Sequence, residues 1–197
     1  MGRSSTPGRR RPGAARPTSP RTAGSTAAPG GTASLADATR SRSWQDLELR
    51  PLADATQAQP LFGFAAVPRP EESDVAFGWG AAPAAGGAPL GAVLVERAGR
   101  AVLLHGPLVV IDGHGHDPLD VATQLLTATL DHAAALGADT AFARPQGLDR
   151  VWIRFGFIPV PETALPAAFA GRPGAGLYGW RSGSALWSLR DAGDAAA

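Results

Sequence analysis

The sequence predicts an α/β domain: a single mixed, largely antiparallel central sheet flanked by helices, behind a disordered N-terminal tail. Three observations carry this. Between Val75 and Ile111, apolar runs of strand length are separated by Gly- and Pro-bearing turns. From Asp117 to Leu136, apolar residues recur at helical spacing. Strand, short helix and strand then follow in quick succession, the pattern of a mixed sheet with helices on it.

Taken in order, residues 1–43 are Gly, Pro, Ser, Thr, Ala and Arg with almost no large apolar side chain. They cannot bury enough surface to offset chain entropy, so the tail reads as disordered and the domain as residues 44–190. Residues 191–197 read as a disordered end. Gln45 to Leu52 alternates as a strand, and Ala53 to Phe62 suits a short helix stopped near Gly63. Pro68 to Asp74 is a loop. Val75 to Ala81 is a strand, and Pro83 to Pro89 a small-residue loop.

Gly91 to Glu96 and Ala101 to His105 form a hairpin with a four-residue connection, Arg97 to Arg100. Gly106-Pro107 interrupts the second strand before Leu108 to Ile111 continue it, which predicts a bulge, a splay or an edge. Asp117 suits the cap of the long helix, Pro118 its first position and Asp120 its first turn. Val121, Leu125, Leu126, Leu130, Ala133 and Leu136 make its buried face, and Gly137 ends it. Thr140 to Arg144 is a strand, Leu148 to Phe155 a short helix, and Phe157 to Val160 a strand. Thr163 to Phe169 suits another short helix and Ala185 to Leu189 a closing strand.

Composition excludes several chemistries. The 197 residues contain no cysteine and no lysine, which removes thiolate sites, disulfides, a lysine Schiff base and a P-loop lysine. No apolar run approaches a membrane span, and the arginine-rich start lacks the apolar segment of a signal peptide, so the expected location is cytoplasmic. The net charge of +1 hides an asymmetry. Residues 1–43 hold eight arginines against Asp37 alone, net +7, and the remainder is net −6. Such a tail can touch nucleic acid or an acidic surface, although a solvated disordered tail explains it better.

Two constellations carry chemistry. His105 stands at a strand end beside the Gly-Pro interruption, where a base that titrates near neutrality could act, and Glu96 on the preceding strand is a second candidate. His114 and His116 with Asp112 and Asp117 have the residue types of a metal site. A surface loop explains them better, and no metal ligand is assigned. No serine has a Gly-x-Ser-x-Gly setting. Trp79, Trp152, Trp180 and Trp187 read as core.

The order of elements over Gly91 to Pro166 resembles the GNAT-type N-acyltransferases, as a divergent member. The strongest part is the long helix ending Ala133-Ala134-Ala135-Leu136-Gly137, then Arg150-Val151-Trp152-Ile153-Arg154-Phe155-Gly156-Phe157-Ile158-Pro159-Val160. Pro159-Val160 with Leu165-Pro166 resembles the amino-acid N-acetyltransferase branch. His105-Gly106-Pro107-Leu108-Val109 is similar to the Fem-type aminoacyl transferases, which share the fold. The resemblance implies an acetyl-CoA or related acyl-CoA lying in a V-shaped splay between Ala101–Ile111 and Thr140–Arg144.

In that reading Leu108, Val109, Val110 and Ile111 offer backbone amides to the acyl carbonyl. Gly113, His114, Gly115, His116, Ala122 and Thr123 surround the diphosphate at the helix start. The acceptor is a primary amine, small or amino-acid-like. The sequence departs from the family in two places. Asp117 and Asp120 stand where the phosphate loop has a cation and a glycine, and only Ala122 matches it. Trp152 and Phe155 occupy the region of the usual tyrosine, leaving Tyr178 as the only phenol. A GNAT-like domain that has lost this chemistry and serves as a binding or scaffold module is the alternative.

Overall fold

The computed structural model describes residues 34–110, 115–145, 147–174 and 176–181. Order begins ahead of Trp44. Ser34 caps a short helix, α1 (Leu35–Ala38), by accepting the Asp37 N–H, and Ala38 is buried. Then β1 (Arg42–Trp44) and β2 (Leu47–Pro51) form an antiparallel pair. The expected boundary at 44 is therefore ten residues late: a run poor in apolar side chains is still held, because Ala38 is small enough to bury and Trp44 packs on the main core.

The chain continues through a 3₁₀ turn (Ala55–Ala58), α2 (Gln59–Phe64), β3 (Val75–Pro83), β4 (Gly91–Ala98) and β5 (Ala101–Val109). Next come α3 (Pro118–Ala135), β6 (Thr140–Ala143), α4 (Asp149–Arg154), β7 (Ile158–Pro159) and β8 (Tyr178–Arg181). All eight strands join one sheet in the order β1-β2-β3-β4-β5-β6-β8-β7. β5 and β6 pair in parallel, and the other described pairs are antiparallel.

The hairpin connection is shorter than expected. Ala98 pairs with Ala101, so only Gly99 and Arg100 turn, and Gly99 takes φ +61° at the first turn position, as type II′ hairpins require. The expected helix at Thr163 to Phe169 is two 3₁₀ turns, Glu162–Ala164 and Ala167–Phe169, split by Pro166, which cannot continue a helix. The expected strand at Ala185 to Leu189 lies outside the described residues, as does Trp187. β8 inserts between β6 and β7 in the described sheet.

β4 is buried along six consecutive residues because both faces of the sheet are covered. Val93, Val95, Val102 and Leu104 meet α3, where Leu125 and Leu126 are fully buried. Each such leucine contributes roughly 2 kcal/mol by leaving water. On the opposite face, Ala92, Leu94 and Leu108 pack under Leu61 and Phe62 of α2, and Leu103 packs with Phe142, Phe169 and Leu177. Between these two clusters the same face carries Glu96 and His105. No described helix is long and apolar enough to cross a membrane.

Candidate active site

The site begins with a fault in β5. Ala92 pairs with Leu108 and Leu94 with His105, so β5 carries one residue more than β4 across this interval, a bulge. Gly106 sits in it with φ +102°, ahead of a cis Gly106–Pro107 bond. A Cβ there would lie 2.8 Å from Ala92 O and 2.9 Å from Leu108 N, so only glycine fits.

The fault coincides with an opening. β5 pairs with β6 from Ala101↔Thr140 to Leu104↔Ala143, where β6 ends, while β5 runs on to Val109. The two parallel strands therefore part after Leu104, and His105 is the first residue beyond the last pair. A cleft of about 310 Å³ lies along the unpaired stretch, lined by Pro107, Leu108, Val109 and Val110 with Leu61, Phe64, Pro118 and Leu148. Val110 donates its N–H to Leu90 O at 2.8 Å, which removes it as a donor to the cleft. Alternation along the strand then turns the Val109 N–H to the open side, and Pro107 has none. Of the expected amides, Val109 is the one left available. Ile111, Gly113 and His114 lie outside the described residues.

His105 and Glu96 come together. The His105 Nε2 lies 2.8 Å from Glu96 Oε1, with side chains 11% and 4% exposed. Glu96 also receives Arg172: Nε at 2.8 Å to Oε1 and 3.0 Å to Oε2, and Nη2 at 2.8 Å to Oε2. A carboxylate engaged in this way only accepts, so His105 Nε2 carries the proton and Nδ1 has the lone pair. Among the described residues Nδ1 has no hydrogen-bond partner. Burial pushes the His105 titration below the ordinary 6.5; Glu96 opposes this, and the Arg172 and Arg144 charges add to it. Glu96 thus accepts from both His105 and Arg172 and orients the base rather than serving as one.

The other expected contacts are spent elsewhere. His116 Nε2 lies 2.5 Å from Asp46 Oδ1 and its ring packs beside Trp44, so it ties the start of α3 to the β1–β2 hairpin. Thr123 donates its hydroxyl to Leu119 O at 2.7 Å, and Ala122 is wholly buried on the inner face of α3. Gly115 takes φ +86° with open space about it. At the helix start, Asp117 Oδ1 accepts the Leu119 N–H at 2.8 Å. Its carbonyl accepts the Asp120 and Val121 N–H groups at 3.0 and 3.1 Å, and Pro118 has no N–H. The described start of α3 does not fit a diphosphate: the Leu119, Asp120 and Val121 N–H groups are used, and two carboxylates stand beside them.

Sequence reasoning missed Arg172 and Asp74, whose Oδ2 accepts the Arg172 Nη2 hydrogen at 2.8 Å. They lie 76 and 22 residues from Glu96, in loops with no periodic signal. Tyr178 folds back as far as β8, opposite Ala143 at the end of β6, beside the opening.

A second buried histidine lies on the α3 face. Trp79 donates its indole N–H to His132 Nδ1 at 3.3 Å, and the Phe77 ring is 4.0 Å from the imidazole. Burial lowers the His132 titration as it lowers that of His105. Folded-state values below the unfolded 6.5 mean stability that is present above pH 6.5 and lost as pH falls below it. The thermal midpoint should therefore drop between pH 7 and pH 5, and His132→Gln should flatten that drop. A midpoint independent of pH over this window would show that neither ring is held neutral.

The overall fold is shared with proteins of known structure. An acetyltransferase from Streptococcus agalactiae superposes with a TM-score of 0.54 over 70% of this chain and 99% of that one, at 13% identity. A ribosomal-protein-S5-alanine acetyltransferase from Vibrio fischeri does so at 0.52, over 74% and 98%, with 13% identity. A GNAT-family N-acetyltransferase from Escherichia coli, solved in complex with CoA, does so at 0.50, over 72% and 84%, with 16% identity. This chain has the GNAT fold. At such identities the likeness is one of fold. No family model and no curated protein matches the sequence. With β1 added to the strands expected from the sequence, β5 and β6 are the two between which the resemblance implies the splay.

Proposed function

We propose that this chain is an N-acyltransferase that moves an acetyl or related acyl group from a thioester to a small or amino-acid-like primary amine. The observation that carries this is the parting of β5 and β6 at Leu104↔Ala143, with His105 at its apex and a cleft of about 310 Å³ along it. His105 Nδ1 takes a proton from the acceptor ammonium or amine, which frees the nitrogen to attack the acyl carbonyl. The Val109 N–H polarises that carbonyl as charge develops on its oxygen. The C–N bond forms, the C–S bond breaks, and the sulfur leaves as thiol. We assign the return of the proton to the Tyr178 phenol, which β8 carries opposite Ala143.

Acyl-CoA is the donor class that the GNAT fold suggests, and the carboxylates at the start of α3 are what oppose it. Titration calorimetry with acetyl-CoA on wild type and on Asp117→Asn/Asp120→Gly tests this directly. Wild type is expected to bind more weakly than the double variant by about thirtyfold, since each of the two carboxylates near a diphosphate costs of the order of 1 kcal/mol. An amine screen with the tighter form follows. No heat from either protein would retire acyl-CoA as donor and favour a binding module built on this fold.

A further inference from the structure

We propose that Arg172 is a positioning residue for this site: it clamps Glu96 so that the carboxylate fixes His105 with Nδ1 as its proton-accepting atom. The inference rests on the acyltransferase reading and adds to it a residue from a distant loop. Glu96 is 3% exposed in the interior of the sheet, a costly place for a charge with a single neutral partner. Arg172 meets it through Nε and Nη2, and the same Nη2 reaches Asp74 Oδ2 at 2.8 Å. The guanidinium is thus held from both sides, by β4 and by the turn before β3. A planar fork of this kind sets orientation as well as charge.

The arrangement controls which protons His105 holds. Glu96 alone, buried beside the ring, would draw a second proton onto it, and an imidazolium accepts nothing. Arg172 shares that charge. The charged groups facing His105 are Glu96 from β4, Arg172 from the segment after Phe169, and Arg144 from the end of β6. Arg144 is itself paired with Glu162 at 2.7 Å, and Asp74 acts through Arg172. A clamp with a purely structural role would pin the 170–177 segment to the sheet and leave His105 untouched, and this difference is measurable.

The test is NMR titration of the His105 imidazole in the full chain, with kcat/KM against pH, for wild type, Arg172→Ala, Arg172→Lys and Asp74→Asn. Arg172→Ala is expected to move the His105 midpoint to higher pH and the acid limb of kcat/KM with it. At pH 7 it should lower kcat/KM roughly tenfold, the scale of a partner that orients a reacting group. Arg172→Lys should restore the midpoint but not the rate, because charge returns and the fork does not. An unmoved midpoint in Arg172→Ala overturns the proposal whatever the activity. A raised midpoint in a protein that acylates no amine keeps the coupling and overturns the acyltransferase reading. Should Arg172→Ala not fold, Asp74→Asn and Arg172→Lys decide by the same titration, with a smaller upward shift expected in Asp74→Asn.

Discussion

Gly106→Ala is expected to lower the unfolding free energy by about 2–4 kcal/mol and to abolish acyl transfer. The new Cβ would meet Ala92 O at 2.8 Å and Leu108 N at 2.9 Å, and both are backbone atoms that no rotamer change can move. The residue would also hold φ +102°, where an L side chain is strained. Relief requires the bulge to straighten, which shifts Leu108 to Val110 against β4 and turns the Val109 N–H away from the cleft. Gly99→Ala separates the two causes. Its φ is +61° but nothing lies within 4 Å, so it should cost about 1 kcal/mol and leave activity intact. Urea denaturation of both variants reads the difference. A Gly106→Ala protein with the wild-type midpoint would mean that the bulge is not what shapes this strand.

His105→Gln is the second large effect. With an acceptor identified, kcat should fall by about 10²–10⁴-fold, the usual contribution of a positioned base, while the donor Kd stays within error. Glutamine keeps a donor for Glu96 but offers no basic nitrogen, so the fold and the Arg172 clamp are retained. In wild type, activity should rise as pH increases through the His105 titration, which burial sets below 6.5. In the variant that limb should vanish. A kcat that survives the substitution would assign the proton to water or to another group and leave His105 as a spectator.

Much of the frame was legible because it is local. Asp117, Pro118 and Asp120 mark the start of α3 by capping chemistry that acts over three or four residues, and the structure has Asp117 bonded to the Leu119 N–H. The Gly106-Pro107 interruption announced a fault in β5 from sequence alone, since proline lacks a donor and glycine alone tolerates the backbone. Boundaries were less legible. The sequence implies a four-residue turn where the structure has two, Gly99-Arg100, because Arg97 is polar whether it ends a strand or lies along one. The start of order at Ser34 escaped for a similar reason: alanine buried against a neighbour looks like alanine in a tail.

The amino-acid sequence by itself determined the order of strands and helices from β2 to β7, the strand that carries the fault, and the pair of candidate side chains, His105 and Glu96. Each depends on periodicity, on a turn residue or on a cap, and these act between neighbours in the chain. The tertiary structure alone decided how those side chains are used. It spent the Val110 amide on Leu90, His116 on Asp46 and the α3 donors on Asp117, and left Val109 facing the opening. It also brought Arg172 across 76 residues onto Glu96 and Asp74 across 98 onto Arg172. Charge pairing over such separations leaves no mark on either segment, because the energy belongs to the contact and exists only once the sheet has formed.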